Sequence, residues 1–138
     1  MNPIVKNILA VVAGIVIGSL ANMGVLMIGN NLIAPPLGVN PNDTESIKNA
    51  IPLYEAKHYI APFLAHALGT LIGAYLAARI AATKKFTFAM VIGVWFLIGG
   101  ITVAYMLGTP LIPTAIDLIF AYIPMAWIGA KIAIRAEK

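Results

Sequence analysis

The segment FTFAMVIGVWFLIGGITVAYML, Phe86–Leu107, holds no charged side chain, and its reading decides the fold class. A helix needs about 20 residues to cross a bilayer core of about 30 Å, and this segment supplies them. Three more apolar stretches surround it: Ile8–Gly29 and Tyr59–Ala82 before it, Ile112–Ile134 after it. Of the 138 residues 61% are apolar and 10% charged, so nothing polar remains to cover these helices as the core of a soluble protein. The chain reads as one domain: an all-α, antiparallel four-helix transmembrane bundle with spans at about 8–29, 59–82, 86–107 and 112–134.

The charge of +4 is explained by position rather than by a nucleic-acid partner. Lys6, Arg79, Lys84, Lys85, Lys131, Arg135 and Lys138 flank the spans on one side; Lys48 and Lys57 fall on the other. This bias is the positive-inside pattern and puts both termini in the cytoplasm, with the bilayer and its anionic head groups as partner. The chain has no cysteine, which excludes disulfides, thiolate nucleophiles and iron–sulfur clusters. The first stretch is longer than a signal-peptide core of about 7–15 residues and is read as a retained span.

One long loop, 30–58, lies on the outer side. Asn30-Asn31, Pro35-Pro36-Leu37-Gly38 and Asn40-Pro41-Asn42 exclude helix from its first half. Asn42 or Asp43 can then cap a short amphipathic helix that Pro52 ends or bends, lying on the membrane surface. Very short turns after spans 2 and 3 make helical hairpins. No internal repeat is visible.

Small residues mark the packing faces. Gly14-x-x-x-Gly18 and Gly69-x-x-x-Gly73 let helix backbones approach closely, either span 1 against span 2 or as a homodimer seam. If Gly18 faces Thr70, then Gly14 faces Ala74 and Asn22 faces His66. His66 lies about 6 Å outward of the middle of its span, and Asn22, Thr102, Tyr105 and Asp117 fall in the same outer layer.

Asp117 is the only carboxylate inside a span. It is either an interior, functional group or a shallow one that reaches water near the start of span 4. His66 is either its proton-exchanging partner or a register-fixing hydrogen-bonder. These two, with Asn22 and Thr102, are the candidate pocket and proton-exchange residues. His58 and Glu55 are read as solvated interface groups. His58 and His66 are about 12 Å apart along a helix, too far to share a metal. With no triad or phosphate loop either, no catalytic residue and no cofactor are assigned. Pro124 removes the hydrogen bond to the Phe120 carbonyl and bends span 4. Tyr54, Tyr59 and Tyr105 suit an outer aromatic belt, and Trp95 and Trp127 face the bundle or lipid.

The run Pro62-Phe63-Leu64-Ala65-His66-Ala67-Leu68-Gly69-Thr70-Leu71-Ile72-Gly73-Ala74-Tyr75, the proline-rich outer loop, Asp117-Leu118 and Tyr122-Ile123-Pro124-Met125 resemble small four-span bacterial membrane proteins of unknown function. The resemblance implies a multi-pass protein of the cell inner (cytoplasmic) membrane and brings no activity with it. Size and span count are also similar to the small multidrug exporters. Those depend on a glutamate in the first span, where this chain has Asn22 and no carboxylate.

Three functional classes follow. A small molecule or ion is bound or passed at an outward-facing polar pocket, as in a transporter. Alternatively, the chain is a structural or assembly subunit that packs on itself or another membrane protein through its glycine seams. An intramembrane enzyme is the weakest of the three, since no nucleophile or metal site can be assembled.

Overall fold

The computed structural model describes residues 1–136, and among them every regular element is helical. In chain order these are α1 (Pro3–Leu32), α2 (Thr44–Ala50), α3 (Ile60–Ile80), α4 (Lys85–Leu107), α5 (Leu111–Phe120) and α6 (Ile123–Arg135). Single 3-10 turns at Ile51–Leu53 and Ala56–Tyr59 join α2 to α3. Four stretches are long and apolar enough to cross a membrane: Pro3–Leu32, Ala56–Ile80, Lys85–Leu107 and Leu111–Arg135. Lys138, one of the basic residues counted in the charge bias, lies outside the described residues.

Local chemistry sets the ends of these helices. Asn2 caps α1 by accepting from the Ile4 backbone N–H at 2.9 Å, and Pro3 fills the first turn where a missing N–H costs nothing. The helix therefore starts earlier than the apolar stretch alone implies, and it runs on to Leu32. Asp43 caps α2 through the Glu45 N–H, and the Ile51–Leu53 turn forms around Pro52. At the α3–α4 turn Lys84 adopts a left-handed backbone with φ 45°. The Asn7 side chain ties α1 to that turn. Its Oδ1 accepts from the Ala82 and Thr83 N–H groups at 2.8 and 3.3 Å, and its Nδ2 donates to Thr83 Oγ1 at 2.9 Å.

Span 4 corrects the sequence expectation of one bent helix. It is two helices, broken at Ala121 and Tyr122, where Tyr122 leaves helical geometry at φ −116°, ψ −78°. Pro124 is the cause: it cannot donate to the Phe120 carbonyl and its ring crowds that group, so α6 restarts with the proline in its first turn.

Helix α3 is the hub, packed against α1, α4 and α6. Its buried positions are almost all small: Ala61, Ala65, Ala67, Gly69, Gly73, Ala74, Ala77 and Ala78, with Thr70 among them. The facing helices answer in kind with Ala10, Ala89, Ala126, Ala130 and Ala133, and among the described residues Ile92 is the one large aliphatic side chain fully enclosed. Gly14 lies against Gly73, Gly18 against Gly69, and Gly29 against Ala61, so numbers rise along α1 as they fall along α3. A Cβ built on Gly73 would stand 2.5 Å from the Gly14 carbonyl oxygen. The register differs by one residue from the expected Gly18–Thr70 pairing, because glycine facing glycine allows the closer approach. Large apolar side chains sit on the outside instead: Leu20, Met27, Trp95, Ile98, Ile119 and Trp127 are all exposed.

Candidate functional site

The loop from α1 to α3 crosses the end of the bundle, bringing α2 to α4 before the chain returns to α3. Beneath it lies a cavity of about 730 Å³. Leu26 and Asn30 of α1, Phe63 and His66 of α3, Gly100, Val103 and Ala104 of α4, and Ile112 and Asp117 of α5 line it. Ile47, Ile51 and Tyr54 of the loop line it from the other side, and the cavity stays open.

Two lining side chains, His66 and Asp117, meet at its polar centre, with the buried Tyr122 behind them. His66 Nδ1 lies 2.9 Å from Asp117 Oδ1 and 3.0 Å from Oδ2, and the Tyr122 hydroxyl donates to Oδ2 at 3.0 Å. The His66 and Tyr122 rings stack, with centroids 5.6 Å apart. Each side chain is delivered by a different element. His66 comes from the α3 hub, Asp117 from the last turns of α5, and Tyr122 from the break before α6. Gly100 of α4 makes room for the phenol, since a Cβ there would sit on the Tyr122 hydroxyl.

Asp117 and His66 are therefore brought together, as the proton-couple reading of the sequence expects. Asp117 does not cap span 4, because it is the seventh residue of α5 and Pro110 holds the cap position. The other two candidates need correction. Asn22 packs its Cβ over Gly69, and Leu26 and Asn30 are the α1 residues that line the cavity. The one-residue change of register moves Asn22 away from the expected pairing with His66. Thr102 is exposed on α4 and turns its hydroxyl back to the Ile98 carbonyl at 2.8 Å, a bond that a threonine makes within its own helix.

Sequence reasoning missed Tyr122 as a site residue. On an unbroken helix a residue five positions after Asp117 points about 140° away from it. Only the proline-driven break turns the phenol back to the carboxylate, so Pro124 was the available signal. Also unforeseen are the Thr109 and Thr114 hydroxyls, paired at 2.6 Å on the cavity wall.

Toward the loop the lining becomes aromatic. Tyr54 stands 5.3 Å from His58 and 5.9 Å from Tyr59, ring centre to ring centre. His58 Nδ1 accepts from the Glu55 N–H at 2.8 Å and closes a capping box, so it is structurally engaged as well as cavity-lining. Partial burial raises the pKa of the Tyr54 hydroxyl and keeps it protonated. The Tyr59 hydroxyl is buried without a hydrogen-bond partner, and so is that of Thr70, one turn beyond His66. Buried polar atoms are nearly always satisfied, which makes an orphan in a cavity wall informative.

Chemically the cluster offers hydrogen-bond acceptors. When the carboxylate is ionised and the imidazole neutral, Nδ1–H is the donor and Nε2 the acceptor nitrogen. Such a nitrogen can take a hydrogen bond or a proton from a guest in the cavity. Among the described residues no group of three or more histidine, aspartate or glutamate side chains comes together as a metal site. The chain matches no family model, no curated protein and no solved structure, so its own geometry carries the functional argument.

Proposed function

We propose that this chain is a multi-pass protein of the cell inner membrane, an antiparallel four-helix bundle with both termini in the cytoplasm, that binds or passes a small molecule or ion at an outward-facing cavity. The observation that carries the reading is the Asp117–His66–Tyr122 cluster lying at a cavity rather than in a solid core. An acidic side chain within a membrane span is costly and characteristically faces the bundle interior or a water-filled cavity. The exposed leucines, isoleucines and tryptophans around an alanine interior support the membrane setting, where lipid covers them.

Gly14, Gly18, Gly69 and Gly73 face one another within a single chain, so the second reading, a structural or assembly subunit, would have to use another face.

Native mass spectrometry of protein extracted in lipid nanodiscs tests the cavity. An adduct of small-molecule mass is expected on the natural chain and is lost in Ala104→Trp, which fills the space. An adduct that persists in the filled variant overturns the assignment of the site. Orientation is tested separately with single cysteines at Asn42 and Lys84, which should label from opposite sides of the membrane.

A further inference from the structure

The cavity discriminates by charge, and we infer that its guest is a lipophilic ammonium: a protonated amine on an apolar, aromatic or branched body. This deepens the reading of the cavity as a ligand site and rests on it. Among the side chains that line the cavity Asp117 is the only carboxylate, and none is a lysine or arginine. An anionic guest would meet a negative charge with no cation to offset it. A neutral guest would gain no Coulomb attraction in an apolar surround that strengthens such attraction. An ammonium gains it and also finds hydrogen-bond acceptors.

The floor has acceptor capacity to spare. The Asp117 carboxylate accepts from two groups, Tyr122 Oη and His66 Nδ1, and offers about four lone-pair sites. In the neutral imidazole with Nδ1 donating, Nε2 accepts as well. The titratable groups facing this centre are few. α3 supplies His66, and the 3-10 turn before it His58 and Tyr59; α5 supplies Asp117, the break before α6 Tyr122 and the loop Tyr54. The lining residues of α1 and α4 carry no ionisable group. No fixed positive charge therefore competes with a cationic guest.

The walls fit the same class. Tyr54, Tyr59 and Phe63 present rings along the cavity, and the negative faces of aromatic rings attract ammonium groups and alkyl bodies alike. A volume of about 730 Å³ is that of a site for a molecule of drug size rather than for a bare ion.

A matched series separates head-group charge from body: 4-phenylbenzylamine, 4-phenylbenzyl alcohol and biphenyl-4-carboxylate, at neutral pH. Binding to the protein in nanodiscs is measured by equilibrium dialysis, with empty nanodiscs subtracted for lipid partitioning. The amine should bind at least tenfold more tightly than the alcohol, and the acid should not bind. In Asp117→Asn the amine's advantage should fall below threefold while the alcohol still binds. Alcohol binding as tight as amine binding, acid binding as the tightest, or an amine advantage that survives Asp117→Asn overturns the ammonium assignment and leaves the cavity reading standing. Binding of none of the three, with Ala104→Trp indistinguishable from the natural chain, overturns both. The series on the natural chain decides the matter even if Asp117→Asn does not fold.

Discussion

The two ends of this bundle are built from the same helices and reach opposite results. At the end holding Gly14, Gly73 and the α3–α4 turn, backbones touch, alanine meets alanine, and Asn7 stitches the turn to α1. At the other end the same α1, α3 and α4 place Leu26, Phe63 and Leu107 beside Gly100 and Ala104, and a cavity opens between them. Lipid is as apolar as leucine, so helices in a membrane are held by close contact more than by burial. Small side chains permit that contact, while large ones and a broken helix forbid it. Side-chain volume, varied along each helix, is what closes one end and opens the other.

The largest expected effect comes from forcing the closed end apart. Gly73→Leu has no room beside the Gly14 carbonyl and the Ile92 side chain, and should lower stability by about 3 kcal/mol or more. Thermal unfolding in detergent measures it; an unchanged midpoint would show that the α1–α3 contact does not hold the bundle.

Next comes the open end. Tyr122→Phe keeps the ring under Gly100 and removes one hydrogen bond to the carboxylate, a loss of about 1.5–3 kcal/mol for a charged acceptor. The same unfolding assay reads it, and Asp117→Asn in the Tyr122→Phe background should cost less than in the natural chain, since the two groups share one network.

Asn7→Ala should cost less again, about 1 kcal/mol, and its effect should be local. Hydrogen exchange at the Ala82 and Thr83 amides should speed up while exchange in α6 is unchanged. The smallest effect is a control. Gly99 has open space around it, so Gly99→Ala should move stability by less than about 1 kcal/mol, upward, because alanine is the better helix former.

What the sequence made legible follows a physical divide. Length and hydropathy are properties of a segment, and so Phe86–Leu107 appears as Lys85–Leu107, and Asp43 appears as the cap of α2. Depth in the bundle is also additive along a helix, which is how Asp117 and His66 could be paired before any coordinates. Direction around the helix is different, because it depends on register and on every turn being regular. One residue of register moved Asn22 from His66 to Gly69, and the outward turn of Thr102 was invisible to an argument from depth. Tyr122 was hidden for the same reason in reverse: an irregular turn brought in a group that a regular helix would have pointed elsewhere.

The alanine interior also says where this chain is free to change. In a soluble domain a substitution is judged first by polarity, since the inside is oily and the outside wet. Here the inside is judged by size. At Ala65, Ala74, Ala126 or Ala133, each fully enclosed, a serine of nearly equal bulk is the tolerable neighbour and a valine is the disruptive one. In the proposed membrane setting the rule inverts at the exposed Leu20, Ile98 or Ile119: any aliphatic shape serves, and a polar group does not. A complete substitution scan would therefore sort the chain into two alphabets, one of volumes and one of polarities, and the boundary between them would trace the packed face of every helix.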